Sequence, residues 1–253
     1  MSDPSSRFQP APSTKPSHIH RLLGWILTLL IGGLIAGYWL FNSSAGLQWT
    51  LASISRLSAG TMQFAGPHGT LHDLAIDTVQ ITNDEHVLTI RHLRGEWHPG
   101  QLLQKHIHIH RLSAASVHIQ LLASRPEQVP LRLPDTLDLP FSVKLDMLKI
   151  DAIKFTSVDE AYPENLISGF ALSLHSDGNH HRLTQLHGLT PWGEVRAHAQ
   201  LEGAAPFVLA GQIDLFGPAP WNTMHIVMSG NLEHMTINLI AEKPGANAKL
   251  NAH

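Results

Sequence analysis

Residues 141–155 read FSVKLDMLKIDAIKF, with apolar Phe141, Val143, Leu145 and Met147 alternating with polar Ser142, Lys144 and Asp146. A period of two is the pattern of a strand that buries one face and wets the other. Further on the apolar residues continue at a shifted spacing, Leu145-x-Met147-x-x-Ile150-x-x-Ile153-x-Phe155, which reads as strand, short corner, strand. Residues 105–119, KHIHIHRLSAASVHI, share the design as Ile107-x-Ile109-x-x-Leu112-x-x-x-x-Val117-x-Ile119, and 232–239 is a weaker relative. Such self-similarity favours an elongated, quasi-repetitive sheet over a compact enzyme fold.

The alternation extends outward. Val195, Ala197, Ala199 and Leu201 alternate with charged and polar neighbours, and Phe207, Leu209 and Ile213 alternate with Val208, Gln212 and Asp214. Further strands are expected at 71–81, 87–97, 105–112, 116–122, 148–156, 168–175, 224–229 and 233–241, set apart by Gly, Pro, Asn or Asp turns. About eleven strands at this spacing predict an antiparallel all-β array. Residues 124–140 carry Pro126, Pro130, Pro134 and Pro140 and suit a connecting loop, not a central strand.

Upstream the period changes. Leu22 to Phe41 reads LLGWILTLLIGGLIAGYWLF, twenty residues without a charge, about the length needed to cross a bilayer core. Arg7, Lys15 and Arg21 precede it against Asp3 alone, and Arg56 is the first charge after it, which places the N-terminus in the cytoplasm by the positive-inside rule. A cleaved signal ending near Ser43-Ser44-Ala45 is the rival, but its apolar region should be about 7 to 15 residues long. Leu47, Leu51, Ile54 and Leu57 recur at helical spacing and Gly60 is a natural stop. The expected organisation is therefore a cytoplasmic tail (1–21), a transmembrane anchor (22–41), an amphipathic exit helix (42–60) and an exported β-rich domain (61–253). The fold class is mostly β: a transmembrane helix, then an elongated antiparallel sheet curled into an open apolar groove.

Composition removes several functions. Seventeen Lys and Arg against 20 Asp and Glu give a net charge of -3, so no basic field exists to neutralise nucleic-acid phosphates. With no cysteine there is no disulfide, thiolate zinc site or cysteine nucleophile. No G-x-S-x-G elbow, H-E-x-x-H helix, P-loop or G-x-G-x-x-G turn occurs, so no enzyme activity, catalytic residue or cofactor is expected. Asp84-Glu85 and Asp159-Glu160 fall in turns, and His180-His181 beside Asp177-Gly178-Asn179 reads as a polar hairpin turn. The one local constellation is His106, His108 and His110, three imidazoles on one strand face about 6.6 Å apart. Two such residues can share a metal, but a third ligand must come from a neighbouring strand that no sequence rule identifies. The plainer reading is a half-buried strand whose polar face is histidine.

The order of features resembles the N-terminal region of the TamB family, in the AsmA-like group of envelope proteins. After the anchor and exit helix come Gly69-x-Leu71-x-x-Leu74-x-Ile76, then Trp97-x-Pro99-x-x-Leu102-Leu103 leading to Ile107-x-Ile109-x-x-Leu112. The loop from Leu131-x-Leu133-Pro134 to Leu139-Pro140 precedes Val143-x-Leu145-x-x-Leu148-x-Ile150, and Leu189-Thr190-Pro191-Trp192-Gly193 precedes a strand pair containing Pro206-Phe207. The resemblance implies a periplasmic β-rich protein held in the inner membrane, carrying phospholipid along an apolar groove between the membranes. It also implies a partner, the BamA-type outer-membrane barrel TamA, and a role in outer-membrane protein assembly, with no catalytic residues. On that reading Phe141, Val143, Leu145, Ile150, Phe207 and Leu209 are candidate groove-lining residues. TamB chains are usually longer, so the 61–253 domain is expected to be incomplete at its C-terminus. The alternatives are a jelly-roll subunit of the lipopolysaccharide export bridge, an anchored structural β-sandwich and a His-dependent metalloprotein.

Overall fold

The computed structural model describes residues 28–33, 35–39, 42–83, 85–122, 136–157, 167–217, 223–232, 234–241 and 247–252. The chain divides into two units, Met1–Leu40 and Phe41–His253. In the first, a helix α1 spans Thr28–Trp39; Leu34, and residues 22–27, 40 and 41 of the expected anchor, lie outside the described residues. Among the described residues no single helix is long and apolar enough to cross a membrane.

The second unit opens with helix α2, Ser44–Leu57, capped by Ser43, whose hydroxyl accepts the Gly46 N–H at 3.0 Å. Gly60 ends it as expected, its N–H bonding the Ser55 carbonyl. Of the apolar stripe, Leu47 is buried, whereas Ile54 and Leu57 are exposed. Among the described residues twelve strands follow: β1 (Met62–Gly69), β2 (Asp73–Thr82), β3 (His86–Trp97), β4 (His106–Leu121), β5 (Ser142–Ser157), β6 (Ile167–Ser176), β7 (His180–Thr190), β8 (Gly193–Glu202), β9 (Val208–Phe216), β10 (Met224–Asn231), β11 (Met235–Ala241) and β12 (Asn247–Ala252). They form one open sheet in sequence order, with β1 at one edge and β12 at the other.

Two expectations are corrected. First, the sheet is not wholly antiparallel: ten pairings are, but β4 and β5 pair parallel with a constant offset of 36 residues. A parallel neighbour requires a crossover connection; of the residues between Leu121 and Ser142, 123–135 lie outside the described residues. Second, neither repeat is broken into two strands by a corner; each is one 16-residue strand. The shift in spacing is a bulge: β5 advances three residues, Leu145 to Leu148, while β6 advances two, Leu174 to Leu172. Met147 is displaced out of the apolar row by it and is 46% exposed, while Leu145, two residues earlier, is 9% exposed. A one-residue slip would otherwise send every later apolar residue to the wrong face.

Three hairpins share one turn chemistry. In Asn83 to His86, Asp177 to His180 and Asn231 to His234, the first residue's backbone N–H bonds the fourth residue's carbonyl. Its side-chain oxygen accepts the fourth residue's N–H, at 2.6, 2.8 and 2.7 Å respectively. The turn expected at Asp177-Gly178-Asn179 is thus present, but His180 and His181 open β7. At the β1 edge, Pro67 sits where a missing ladder N–H is tolerated. Gly66 beside it adopts φ +62°, and a Cβ there would overlap the Asp77 carboxylate. Helix α2 packs against β1, with a cleft between them lined by Gln48, Leu51, Ala52, Phe64 and Pro67.

Candidate functional site: the apolar row and the histidine cluster

Strand register sorts the side chains into rows. Ile109 pairs with Leu145, Leu145 with Leu174, Leu174 with Leu183 and Leu183 with Ala199; the row continues through Gly211 and Met228 to Ile237. One residue along, on the opposite face, runs His108, Lys144, His175, Arg182, Gln200 and Ala210. Paired residues share a face in a sheet, so this apolar row crosses eight strands, β4 to β11, and the polar row behind it runs across β4 to β8 before reaching Ala210 on β9.

Four of the six groove candidates, Val143, Leu145, Ile150 and Leu209, lie on the apolar side. Val143 and Leu209 lie in one row, Val143–Ser176–His181–Leu201–Leu209, next to the Leu145 row. Ile150 faces the same way, because its partner Phe170 lies two residues from Leu172 and four from Leu174 on β6. Phe141 and Phe207 lie outside the strands, two residues before Val143 and Leu209. Phe207 is 4% exposed and has φ +59° within a turn, its N–H bonding the Ala204 carbonyl, so it is not part of the alternation read through 207–213.

At the rim the end of the crossover is tied down. Leu137 N–H bonds the Gly203 carbonyl and Leu139 N–H the Gly178 carbonyl, both at 2.8 Å. His181 Nε2 lies 3.1 Å from the Leu137 carbonyl; a carbonyl only accepts, so Nε2 donates, and Nδ1 lies 2.8 Å from the buried Ser176 hydroxyl. The polar face also carries a cleft of about 340 Å³ lined by His175, Asp177, His180, Arg182, Gln200 and Glu202.

A family model described as TamB, N-terminal domain, matches residues 33–187. The chain belongs to the TamB family. The match spans β1 to β6 and most of β7, so the parallel join lies within the TamB domain, and both apolar rows start in it and run on past its end at residue 187. No curated protein and no solved structure matches the chain.

On the polar face the TamB domain gathers imidazoles. His108 Nε2 and His110 Nδ1 lie 2.8 and 3.2 Å from the same Asp146 carboxylate oxygen, and Lys144 Nζ is 3.0 Å from the other. Hydrogen bonds from Lys144, then His108, hold the Asp146 carboxyl down at about 2. The rings continue in a line: His108 to His110 at 4.1 Å between centroids, His110 to His98 at 4.7 Å, His98 to His72 at 4.7 Å. His106, the third histidine of the sequence constellation, bonds the Ser142 hydroxyl instead. The offset of 36 explains this division, since it sets His106 level with Ser142 and His108 level with Lys144, two residues before Asp146. Among the described residues His108, His110 and Asp146 are the one group of three such donors within 4.8 Å. Asp146 was invisible as a partner in the sequence because the signal, the repeat offset, only acquires meaning once the two strands pair parallel.

Proposed function

We propose that the apolar face shields lipid acyl chains and that the chain is an inner-membrane-anchored, periplasmic component of phospholipid transport between membranes. The observation that carries the reading is the unbroken apolar row from Ile109 to Ile237. The strands among the described residues belong to one sheet, so among those residues no second sheet packs onto this face, and Val143, Ile150 and Leu209 are half-buried. Each methylene moved from water onto such a surface contributes about 0.8 kcal/mol, while the polar rows keep the other face solvated. Family membership supports the same reading, including a TamA-type barrel as partner and a part in outer-membrane protein assembly.

The test is photocrosslinking in cells. Crosslinkers at Val143, Ile150 and Leu209 are expected to capture phospholipid, and those at Lys144 and His198 to capture none. Equal capture at both sets, or protein alone at the first, overturns the proposal. A reporter after residue 60 active only in the cytoplasm would overturn the topology.

A further inference from the structure

The geometry points to a divalent transition-metal site formed by His108 Nε2, His110 Nδ1 and one oxygen of Asp146, clamping the parallel β4–β5 pair on the sheet's polar face. Imidazole nitrogen and carboxylate oxygen are donors such ions accept at about 2.0 to 2.2 Å, which puts two ligands on one ion roughly 3.3 Å apart. The atoms here are already 2.8 and 3.2 Å apart across the strands, and all three lie within 4.8 Å. One ion would replace the two imidazole protons that now point at Asp146, with both His–Asp separations already within half an ångström of that spacing. Side-chain exposures of 21%, 41% and 36% leave a route in and room for water on the remaining positions.

The surroundings suit a clamp. Asp146 is held by its backbone as well, its carbonyl accepting the Ser173 hydroxyl from β6 at 2.8 Å. Lys144 occupies only the second carboxylate oxygen, and its charge opposes a bound cation. The polar face of the second half shows the contrast. His225 Nδ1 lies 2.6 Å from Asp214 and Gln212 donates to the same carboxylate oxygen, but among the described residues no second imidazole completes a group of three donors there. The β4–β5 join is also where a clamp has work, because a crossover and not a tight turn links these strands. The site lies opposite the apolar row and does not depend on the lipid reading.

The test is titration of Zn²⁺ alone into the untagged, detergent-solubilised full chain by calorimetry. One equivalent is expected to bind and to slow amide exchange in β4 and β5. Asp146→Asn and His110→Gln are each expected to abolish that step, His225→Gln to leave it unchanged, and Lys144→Ala to tighten it several-fold. Using two conservative variants keeps the test readable if one fails to fold, which circular dichroism reports. Absence of the one-equivalent step, its survival in both variants, or equal binding of Mg²⁺ overturns the proposal, since Mg²⁺ takes oxygen donors.

Discussion

The parallel join between β4 and β5 and the hairpins between β6 and β7 or β10 and β11 solve the same problem by different means. In the hairpins a single Asp or Asn, bonded to the residue three positions on, reverses the chain and sets the register locally. At the parallel join no local turn exists, and alignment rests on two long strands with matched apolar spacing and on a crossover tied at the far rim. A hairpin therefore tolerates weak strands, while the join depends on tertiary contacts of long sequence separation. The histidine cluster lies on this side of the difference.

The largest effect should come from weakening the join's central row. Leu145→Ala removes a side chain only 9% exposed and is expected to cost about 2 to 4 kcal/mol in urea denaturation of the solubilised chain. Leu209→Ala, on half-buried Leu209 in the hairpin-linked part, should cost roughly half as much. Equal losses would erase the distinction between the regions.

A smaller effect tests the tie at the rim. A Cβ on Gly203 would run into the Asp138 carboxylate and lie 3.0 Å from the Asn179 carbonyl, so Gly203→Ala should destabilise by about 1 to 3 kcal/mol. Its signature is faster amide exchange at Leu137 and Leu139, whose partners are the Gly203 and Gly178 carbonyls. Unchanged exchange there would mean that the crossover is positioned by something else.

The smallest effect concerns a hairpin turn. The His180 and Asn179 backbone N–H groups hold the Asp177 carboxyl down at about 2 from its ordinary 3.8. A lowered carboxyl stabilises the fold fully above its ordinary value and loses that contribution as pH falls through its folded value. Stability attributable to Asp177 should thus be flat above about pH 4 and fade toward about pH 2, and Asp177→Asn should flatten that part of the stability profile. An unchanged acid limb in the variant would show that the turn does not depend on the charge.

Much of this was legible in the residues, and the misses have definite causes. Alternation located most strands because a half-buried sheet writes its faces into the sequence with period two. Strand β7 was missed because His180, His181 and Gly188 dilute its apolar positions, and β1 because Gly66 and Pro67 resemble a turn when the edge position is unknown. The repeat was seen but aligned two residues late, with Met147 counted on the apolar face. Matching Ile107, Ile109, Leu112, Val117 and Ile119 to Val143, Leu145, Leu148, Ile153 and Phe155 gives identical spacing and the observed register. For the site, His108 and His110 could be picked out as a pair, but Asp146 could not, since strand direction is a tertiary property.

Each strand makes its principal contacts with the strands before and after it, and this order makes length a separable trait. Inserting or deleting one hairpin changes the sheet's reach by about 10 Å and disturbs only two neighbours, as in other one-dimensional arrays. Reach can then be inherited in hairpin-sized steps, like marks on a ruler, while the character of both faces is carried through unchanged. The parallel join is the exception on that scale, because removing either of its strands would also strand the crossover and unmake the repeat that aligns it.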